Sequence, residues 1–398
     1  MTKKKILRVH NKSDKPDNVV MKEHQINKKC NELERGLPSF MQGFFAYLKG
    51  NVLPMTRLAY LHDITFFCNY LLTETDLISE NDPGQKSEKK SPEEIKLSDF
   101  KKIKAAHVNM FIDYCRNYTV ESGDAVYYYE NSNRSLARKK SSLSVMFKQL
   151  YRDELLPKNI TDGFDPIRVP KPGEKEIKAL QDDEVMIMLD AVTTGSGLTK
   201  KEHEYWEKTK LRDKAILIIF LTYGLRLSEL QQLNVSSFNY SRGEFTIYRK
   251  RGKESSMPLN RSVTEAVRDY TENERPSQDL PEEHADALFL SLQKKRMTER
   301  QIRELVKKYT SIGMNVSRKS GYSPHKLRAT TATSLIGRGN SIFDVQELLD
   351  HEQITTTQLY AKHKMNTRRD LVRDMEWEIE RKENNEEQTN EEKSDKNK

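Results

Sequence analysis

Cysteine is scarce in this chain, and its scarcity excludes two kinds of structure. The 398 residues include only Cys30, Cys68 and Cys115, with no C-x-x-C pair among them. They supply neither a disulfide framework nor a cysteine-based zinc site, so we expect a protein of the reducing cytoplasm.

Long apolar stretches are also missing. The longest run, residues 215–221, is far shorter than the ~20 residues that a membrane-spanning helix needs. The basic start MTKKKILR continues into polar sequence and not into the apolar core of a secretory signal. We therefore expect neither a membrane segment nor export.

Charged residues, by contrast, are abundant. They make up 32% of the chain against 35% hydrophobic residues, and 68 Lys and Arg against 60 Asp and Glu leave a net charge of +8. A basic balance favours a polyanionic partner, of which nucleic acid is the commonest. A merely soluble basic protein would have the same balance, so charge alone does not decide.

The order of polar and apolar segments predicts two domains joined by a linker. Residues 1–36 are polar and basic and are predicted to form a flexible arm, and residues 37–164 show the apolar spacing of successive helices. Residues 165–180 contain three prolines and are predicted to be the linker. Residues 181–381 form the second domain, and residues 382–398 are a charged, disordered tail.

The second domain is predicted to combine helices with a small sheet. EFTIYRK and SSMPLN read as two strands around a turn at Gly252, and ALFLS, residues 287–291, as a third. The fold class is thus mainly α with a small β-sheet. In the first domain, we interpret the run Tyr127–Tyr129 as loop or core packing, with stacking on bases as the alternative.

The segment from Ser323 to Tyr360 contains the most informative residues. Ser323-Pro324 is a typical helix start, which places His325 and Arg328 on one face near the helix N-terminus, where a phosphate is stabilised. His351 and Tyr360 follow. This set, with no nearby carboxylate cluster, predicts phosphoryl chemistry without a metal ion or other cofactor.

Two further segments precede it. Arg226 lies in TYGLRLSELQQL, just after an apolar helix ending near Gly224. The turn YRKRGKESSMPL concentrates basic residues at a hairpin tip: Arg249, Lys250, Arg251 and Lys253. In isolation, each segment is more typical of a solvated surface than of a site.

In this order, TYGLRLSEL, the basic hairpin, HKLR, LLDH and QLY resemble the tyrosine recombinases, the phage-integrase and Xer-type site-specific DNA recombinases. The resemblance covers roughly residues 36–375. It implies an α-helical core-binding domain followed by a mixed α/β catalytic domain. The catalytic residues that it implies are Arg226, Lys250, His325, Arg328, His351 and Tyr360. Lys253 is the alternative to Lys250.

The resemblance also implies a role for each residue. Arg226 and Arg328 would clamp the phosphate oxygens, and Tyr360 would attack phosphorus to give a 3′-phosphotyrosine link. His325 would accept a proton, Lys250 would protonate the departing 5′ oxygen, and His351 would donate a hydrogen bond to the phosphate.

The implied partner is double-stranded DNA with an inverted-repeat site, bound in the bacterial nucleoid. A homotetramer would assemble on two sites and exchange its C-terminal helices, with accessory DNA-bending proteins also compatible. Predicted DNA contacts are basic residues of one N-terminal helix and of the catalytic domain: Arg138, Lys139, Lys140, Lys148, Arg249, Arg251, Lys253 and Lys326. For the N-terminal group, a solvated helix face is the alternative.

The chain departs from the family pattern at three positions. Ala329 stands where the family usually has a second histidine, Thr331 replaces a common phenylalanine, and Asp350 replaces the glycine of L-L-G-H. None is among the matched catalytic positions, but Asp350 adjoins His351 and could alter it.

Two other functions remain open at this point. A type IB topoisomerase-like enzyme would use the same cleavage to relax DNA, and a catalytically silent DNA-binding protein would share the fold. The helical N-terminal domain argues against the first alternative, and the intact set of matched residues argues against the second.

Overall fold

The computed structural model describes residues 15–78, 91–170, 178–249 and 252–350. The chain divides into two compact units after Pro170, a point inside the predicted linker. Within the described ranges, no helix combines the length and apolar character that crossing a bilayer requires. The expected fold class, mainly α with small antiparallel sheets, is confirmed.

The first unit is a helical bundle with one hairpin. A single core fills it, in which Phe44, Phe67, Phe111 and Phe147 are fully buried. The helices and strands are α1 (Asp17–Arg35), α2 (Gln42–Asn51), α3 (Pro54–Thr73), α4 (Leu97–Lys102), α5 (Ala105–Tyr114), β1 (Asn117–Ser122), β2 (Ala125–Glu130) and α6 (Asn133–Arg152).

The expected flexible arm is wrong for residues 17–35, which form α1. Cys30 on this helix is fully buried, and Glu34 accepts a 2.6 Å hydrogen bond from Nη2 of Arg57 on α3. Arg57 is itself buried, so this ion pair fixes the helix to the bundle. The polar composition of the segment concealed the few side chains that anchor it.

The tyrosine run lies on a surface strand, so its interpretation as loop or core packing is also wrong. β2 pairs antiparallel with β1 around Gly123, which has a φ of 59°. Tyr129 stacks on its cross-strand partner Tyr118 with ring centroids 5.2 Å apart, and all three tyrosines of the run are exposed. Alternating Val, Thr and Tyr is typical of strands, and the glycine supplies the tight turn.

The second unit packs its helices around the long apolar helix α9. Its elements are α7 (Asp182–Thr194), α8 (Lys200–Trp206), α9 (Lys210–Tyr223), α10 (Leu227–Gln231), β3 (Phe238–Asn239), β4 (Glu244–Tyr248), β5 (Glu254–Pro258), α11 (Arg261–Asn273), α12 (Glu299–Gly313), α13 (Pro324–Gly337) and α14 (Ile342–Leu349). Residues 215–217, 219 and 220 of α9 are fully buried, which explains the longest apolar run of the sequence.

The sheet of this unit has the antiparallel order β3-β4-β5. The two strands predicted around Gly252 are confirmed as β4 and β5, with Phe245 opposite Met257 and both buried. The strand predicted at residues 287–291 is wrong: Ala287 and Leu290 form isolated bridges with Asn234 and Arg296. This run is apolar because it is buried in the core of the unit, where Phe289 stacks on Tyr270 of α11, and not because it joins the sheet.

Candidate active site

Arg328 ties three elements of the second unit together. α13 begins at Pro324 immediately after Ser323, as predicted, although the Ser323 side chain makes no capping hydrogen bond. One turn later Arg328 is buried, and its Nη1 donates to the carbonyl of Gly224 at 2.7 Å. Its Nη2 donates to the carbonyl of Leu349. The guanidinium therefore bridges the C-terminal ends of α9 and α14.

Gly224 makes this junction possible. It ends α9 in the left-handed conformation, with φ 56° and ψ 35°, and a Cβ there would lie 2.6 Å from Cδ2 of Leu349. Thr331 supports the same helix end, since its hydroxyl donates to the carbonyl of Phe220 at 3.0 Å. Glycine is needed here both for the backbone conformation and for the close approach of α14.

Arg226 follows the junction and is oriented by a buried acid. Glu229, three residues later, accepts from the Arg226 backbone N–H at 2.7 Å and from its Nη1 at 2.8 Å. The Glu229 side chain is only 2% exposed, against 34% for Arg226. Burial alone would lower the pKa of Arg226, but Glu229 and then Asp350 outweigh it and raise that pKa. The Arg226 guanidinium thus stays charged and partly exposed to solvent.

Arg249 is a third arginine at this site. It follows β4 and is buried, with its Nη2 donating to the carbonyl of Leu348 at 3.2 Å and contacting Sδ of Met257 at 3.5 Å. Its position in the basic hairpin predicts a general contact with DNA phosphates. Its side chain instead turns inward against the end of α14.

The three guanidiniums converge on consecutive carbonyls at the C-terminus of α14. Arg249 binds Leu348, Arg328 binds Leu349, and Arg226 Nη2 donates to the Asp350 carbonyl at 2.8 Å. The C-terminal end of a helix carries partial negative charge and attracts cations. The end of α14 therefore binds arginines that are distant in sequence, up to the 124 residues that separate Arg226 from Asp350.

Four of the predicted site residues lie outside the described residues: Lys250, Arg251, His351 and Tyr360. Their roles stay predictions. His351 directly follows the helix end that the arginines contact, and Lys250 directly follows Arg249. Arg249 and Asp350, the neighbours of these two positions in sequence, contact each other, with Nη1 of Arg249 3.6 Å from Oδ2 of Asp350.

His325 lies in the first turn of α13, one turn before Arg328. The His325 side chain is exposed, but partial desolvation by neighbouring atoms, followed by the positive charges of Arg328, Lys326 and Arg226, lowers the pKa of the imidazole. Burial and the charge of Lys178 likewise lower the pKa of Lys326. A histidine in these surroundings is neutral at physiological pH and is able to accept a proton.

The predicted DNA contacts of the first unit have partners within that unit. Arg138 Nη2 donates to Asp63 at 2.9 Å, and Lys139 is buried with its Nζ 3.4 Å from the same carboxylate. Lys140 Nζ donates to the carbonyl of Phe164 at 3.3 Å, whereas Lys148 is exposed. Contact of these residues with DNA stays a prediction.

In the second unit, Lys253 is exposed and Lys326 is half-buried. Lys253 lines an open groove next to Asp350, and Lys326 adjoins His325 on α13. Their contact with DNA also stays a prediction.

The departures from the family pattern lie where α13 and α14 pack together and where α13 meets the end of α9. Ala329 is buried in a small apolar cluster with Ala332, Val345 and Leu349, and Thr331 bonds the end of α9. Asp350 adopts a left-handed conformation with φ 50° and ψ 55°. A glycine would adopt this conformation without strain, which gives a physical reason for the family's preference.

Sequence reasoning missed the roles of Glu229 and Arg249. The only local signal for Glu229 is its position three residues after Arg226, which suits a capping box. For Arg249, its position among other basic residues at the hairpin concealed an inward orientation that only the tertiary structure specifies.

Comparison with known proteins places this site in a family. The family model described as "Phage integrase family" matches residues 178–367. Tyrosine recombinase XerC of Natranaerobius thermophilus is 32% identical over 272 residues, which cover 68% of this chain and 81% of that relative. The chain belongs to the phage integrase family of tyrosine recombinases. The expected class of enzyme, a site-specific DNA recombinase, is thereby confirmed.

Other relatives agree with this assignment. Tyrosine recombinase XerD of Staphylococcus epidermidis is 30% identical, covering 65% of this recombinase and 80% of that relative. The XerH recombinase bound to difH substrate has a TM-score of 0.52 at 18% identity, with 85% of each chain covered. The Tn1549 transposon integrase bound to transposon right-end DNA has a TM-score of 0.53 at 18% identity, with 87% of this chain and 98% of that chain covered. At such identities these structures support the fold.

Proposed function

We propose that this recombinase cuts and rejoins DNA at specific sites through a covalent 3′-phosphotyrosine intermediate on Tyr360. The observation that carries the proposal is the convergence of Arg226 and Arg328 on adjacent carbonyls at the end of α14. Two permanently charged guanidiniums at one point form a clamp for the oxygens of a phosphodiester, whose negative charge increases in the transition state. The clamp neutralises this charge without a metal ion.

The reaction follows from the proposed roles. The Tyr360 hydroxyl attacks phosphorus while the bond from phosphorus to the 5′ oxygen breaks, and His325 takes the tyrosine proton. Lys250 gives a proton to the departing 5′ oxygen, with Lys253 as the alternative donor. His351 donates a hydrogen bond to the phosphate. Since one phosphoester replaces another, the bond energy is kept and rejoining requires no ATP.

DNA is the proposed partner, and the DNA-bound structures of the XerH recombinase and the Tn1549 integrase support that choice. Exchange between two sites requires several active sites at once. We propose a homotetramer on two inverted-repeat sites, with the C-terminal helix of each protomer docked on a neighbour. Accessory DNA-bending proteins would assist assembly, and the reaction would take place in the bacterial nucleoid.

A nicked suicide substrate tests the proposal. Duplexes with candidate sites carry a nick just beyond the scissile phosphate, so that cleavage releases a short fragment and traps the enzyme on DNA. We expect a denaturant-resistant adduct whose peptide map places the DNA on Tyr360. Binding to the sites without any adduct would favour the silent DNA-binding protein.

Intact substrates separate recombination from relaxation. We expect two-site plasmids to yield recombinant products and single-site supercoiled plasmids to remain mostly supercoiled. Efficient relaxation of the single-site plasmid without recombinants would favour a type IB topoisomerase-like activity. Both assays use the same full-length protein, so their results compare directly.

The lowered pKa of His325 predicts the acidic limit of cleavage. His325 must be neutral to accept the tyrosine proton. The rate of adduct formation should therefore fall as the pH falls through the pKa of His325, which lies below the ordinary histidine pKa of 6.5. Lys326→Gln removes a nearby positive charge and should raise the pKa of His325. The acidic limb of the pH–rate profile, measured at saturating DNA, should therefore move to higher pH.

Lys319→Gln is the control for this shift. Lys319 is an exposed lysine of the same unit. Its replacement removes the same charge away from His325 and should not shift the acidic limb of the pH–rate profile. An identical limb in the wild type and in Lys326→Gln would argue against His325 as the titrating base.

A further inference from the structure

The carboxylate of Asp350 is shared between two arginines of the site. Its Oδ2 lies 3.4 Å from Nη1 of Arg226 and 3.6 Å from Nη1 of Arg249. The Asp350 side chain is 33% exposed, so it reaches the cluster from the open side. Glu229, the other acid on Arg226, is almost fully buried. Both acids thus contact Nη1 of Arg226, but only Asp350 is accessible to solvent.

The backbone of Asp350 is also held beside the arginines. As the C-cap of α14, the residue is left-handed, a conformation that few non-glycine residues adopt although Asp and Asn tolerate it. The Asp350 carbonyl accepts from Nη2 of Arg226. Arg226 therefore holds both the main chain and the side chain of this residue. A glycine at this position would keep the backbone contact and remove the carboxylate.

A carboxylate and a phosphate make the same demand on a guanidinium, because both present paired anionic oxygens to its N–H groups. The open groove beside Asp350, lined by Arg249, Lys253 and Ser255, gives a displaced carboxylate room to move. DNA entry would remove Asp350 from the arginines but leave Glu229 in place.

We propose that Asp350 occupies, in the DNA-free protein, the anion position that the scissile phosphate takes, and that DNA binding displaces its carboxylate from Arg226 and Arg249. Asp350 thus acts as a positioning residue that keeps the arginines oriented and lowers their affinity for any other anion. The proposal rests on the proposed function, because it assumes that Arg226 receives the DNA phosphate.

Asp350→Asn tests the proposal by removing the charge while keeping the size and the tolerance of left-handed backbone. Affinity is measured by fluorescence anisotropy with a 30-bp duplex of arbitrary sequence at about 0.1 M salt. We expect the dissociation constant to fall about three- to tenfold, the scale of two partly exposed ion pairs. Asp350→Gly should give the same gain, because glycine suits this conformation.

Two controls separate displacement from a general charge effect. Asp344→Asn makes the same chemical change at an exposed position of α14 that does not line the groove, and it should change affinity by less than about twofold. In an Arg226→Ala background, the gain from Asp350→Asn should shrink to about two- to threefold, because only the contact of Asp350 with Arg249 then remains.

Equal or weaker binding by Asp350→Asn and Asp350→Gly would overturn the proposal, and so would a gain that is undiminished without Arg226. Binding is measured without any cleavage step. Failure to form a covalent adduct would thus refute the proposed function, whereas the affinity measurement would still test the displacement of Asp350.

Discussion

Replacing Tyr360 with phenylalanine is expected to abolish the covalent attachment of DNA while leaving DNA affinity within about twofold, since only the nucleophilic hydroxyl is removed. The loss of adduct should be at least about 10⁴-fold, in keeping with the loss when a nucleophile is deleted from other covalent enzymes. Adduct is measured on the nicked suicide substrate and affinity on the same site without a nick. The contrast between the two readouts distinguishes loss of chemistry from loss of folding.

Tyr205→Phe is a matched control for this change. Tyr205 is an exposed tyrosine on α8, so its replacement removes a hydroxyl of the same kind outside the site. It should form adduct at the wild-type rate. An adduct that persists in Tyr360→Phe, or that disappears in Tyr205→Phe, would show that the nucleophile has been assigned to the wrong residue.

Much of the local structure around the site could be predicted from the sequence. Ser323-Pro324 gave the start of α13, Gly252 gave the turn between β4 and β5, and the apolar run before Gly224 gave α9. Each of these signals depends on residues within one or two turns of each other, so short-range preferences decide them. The order of the motifs then gave the family.

The contacts that build the site could not be predicted in this way. Arg226, Arg249 and Arg328 meet at α14 across sequence separations of 124, 99 and 21 residues. No local pattern specifies which carbonyl each guanidinium binds. Asp350 was recognised as a departure from a glycine, but its ion pairs with Arg226 and Arg249 depend on this convergence.

The same limitation explains the errors in the first unit. Polar composition predicted an arm where α1 forms, because only a few of its side chains anchor the helix: Glu34 pairs with Arg57, Cys30 is buried, and Ile26 and Leu33 pack against the core. Composition averages over a segment, whereas packing depends on the few residues that face a neighbour. Prediction from sequence thus succeeded for elements with clear apolar periodicity and failed for elements in which few apolar side chains face the core.

The second large effect is expected for Arg328. Arg328→Ala removes the hydrogen bonds to the buried carbonyls of Gly224 and Leu349 together with one arginine of the proposed clamp. We expect the free energy of unfolding to fall by about 2–4 kcal/mol and the rate of adduct formation to fall at least about 10³-fold. Unfolding is measured with urea, and adduct formation is measured well below the melting temperature of the variant.

Arg328→Lys separates charge from geometry at the same position. A lysine keeps the positive charge but cannot bind two carbonyls and a phosphate with a planar fork. DNA affinity should therefore stay closer to the wild type than in Arg328→Ala, while the rate of adduct formation remains strongly reduced. Recovery of the full rate with lysine would mean that charge alone is sufficient at this position.

Arg318→Ala supplies the matched control for stability. Arg318 lies in the same unit and donates to Glu202 at 3.0 Å, to Ser311 at 2.9 Å and to the carbonyl of Gly197 at 2.9 Å. Its loss should destabilise the unit by about 1–3 kcal/mol without removing a phosphate ligand. At equal fractions of folded protein, Arg318→Ala should form adduct at the wild-type rate and Arg328→Ala should not. Equal rates in the two variants would assign Arg328 to the support of α9 and α14 instead of to the DNA phosphate.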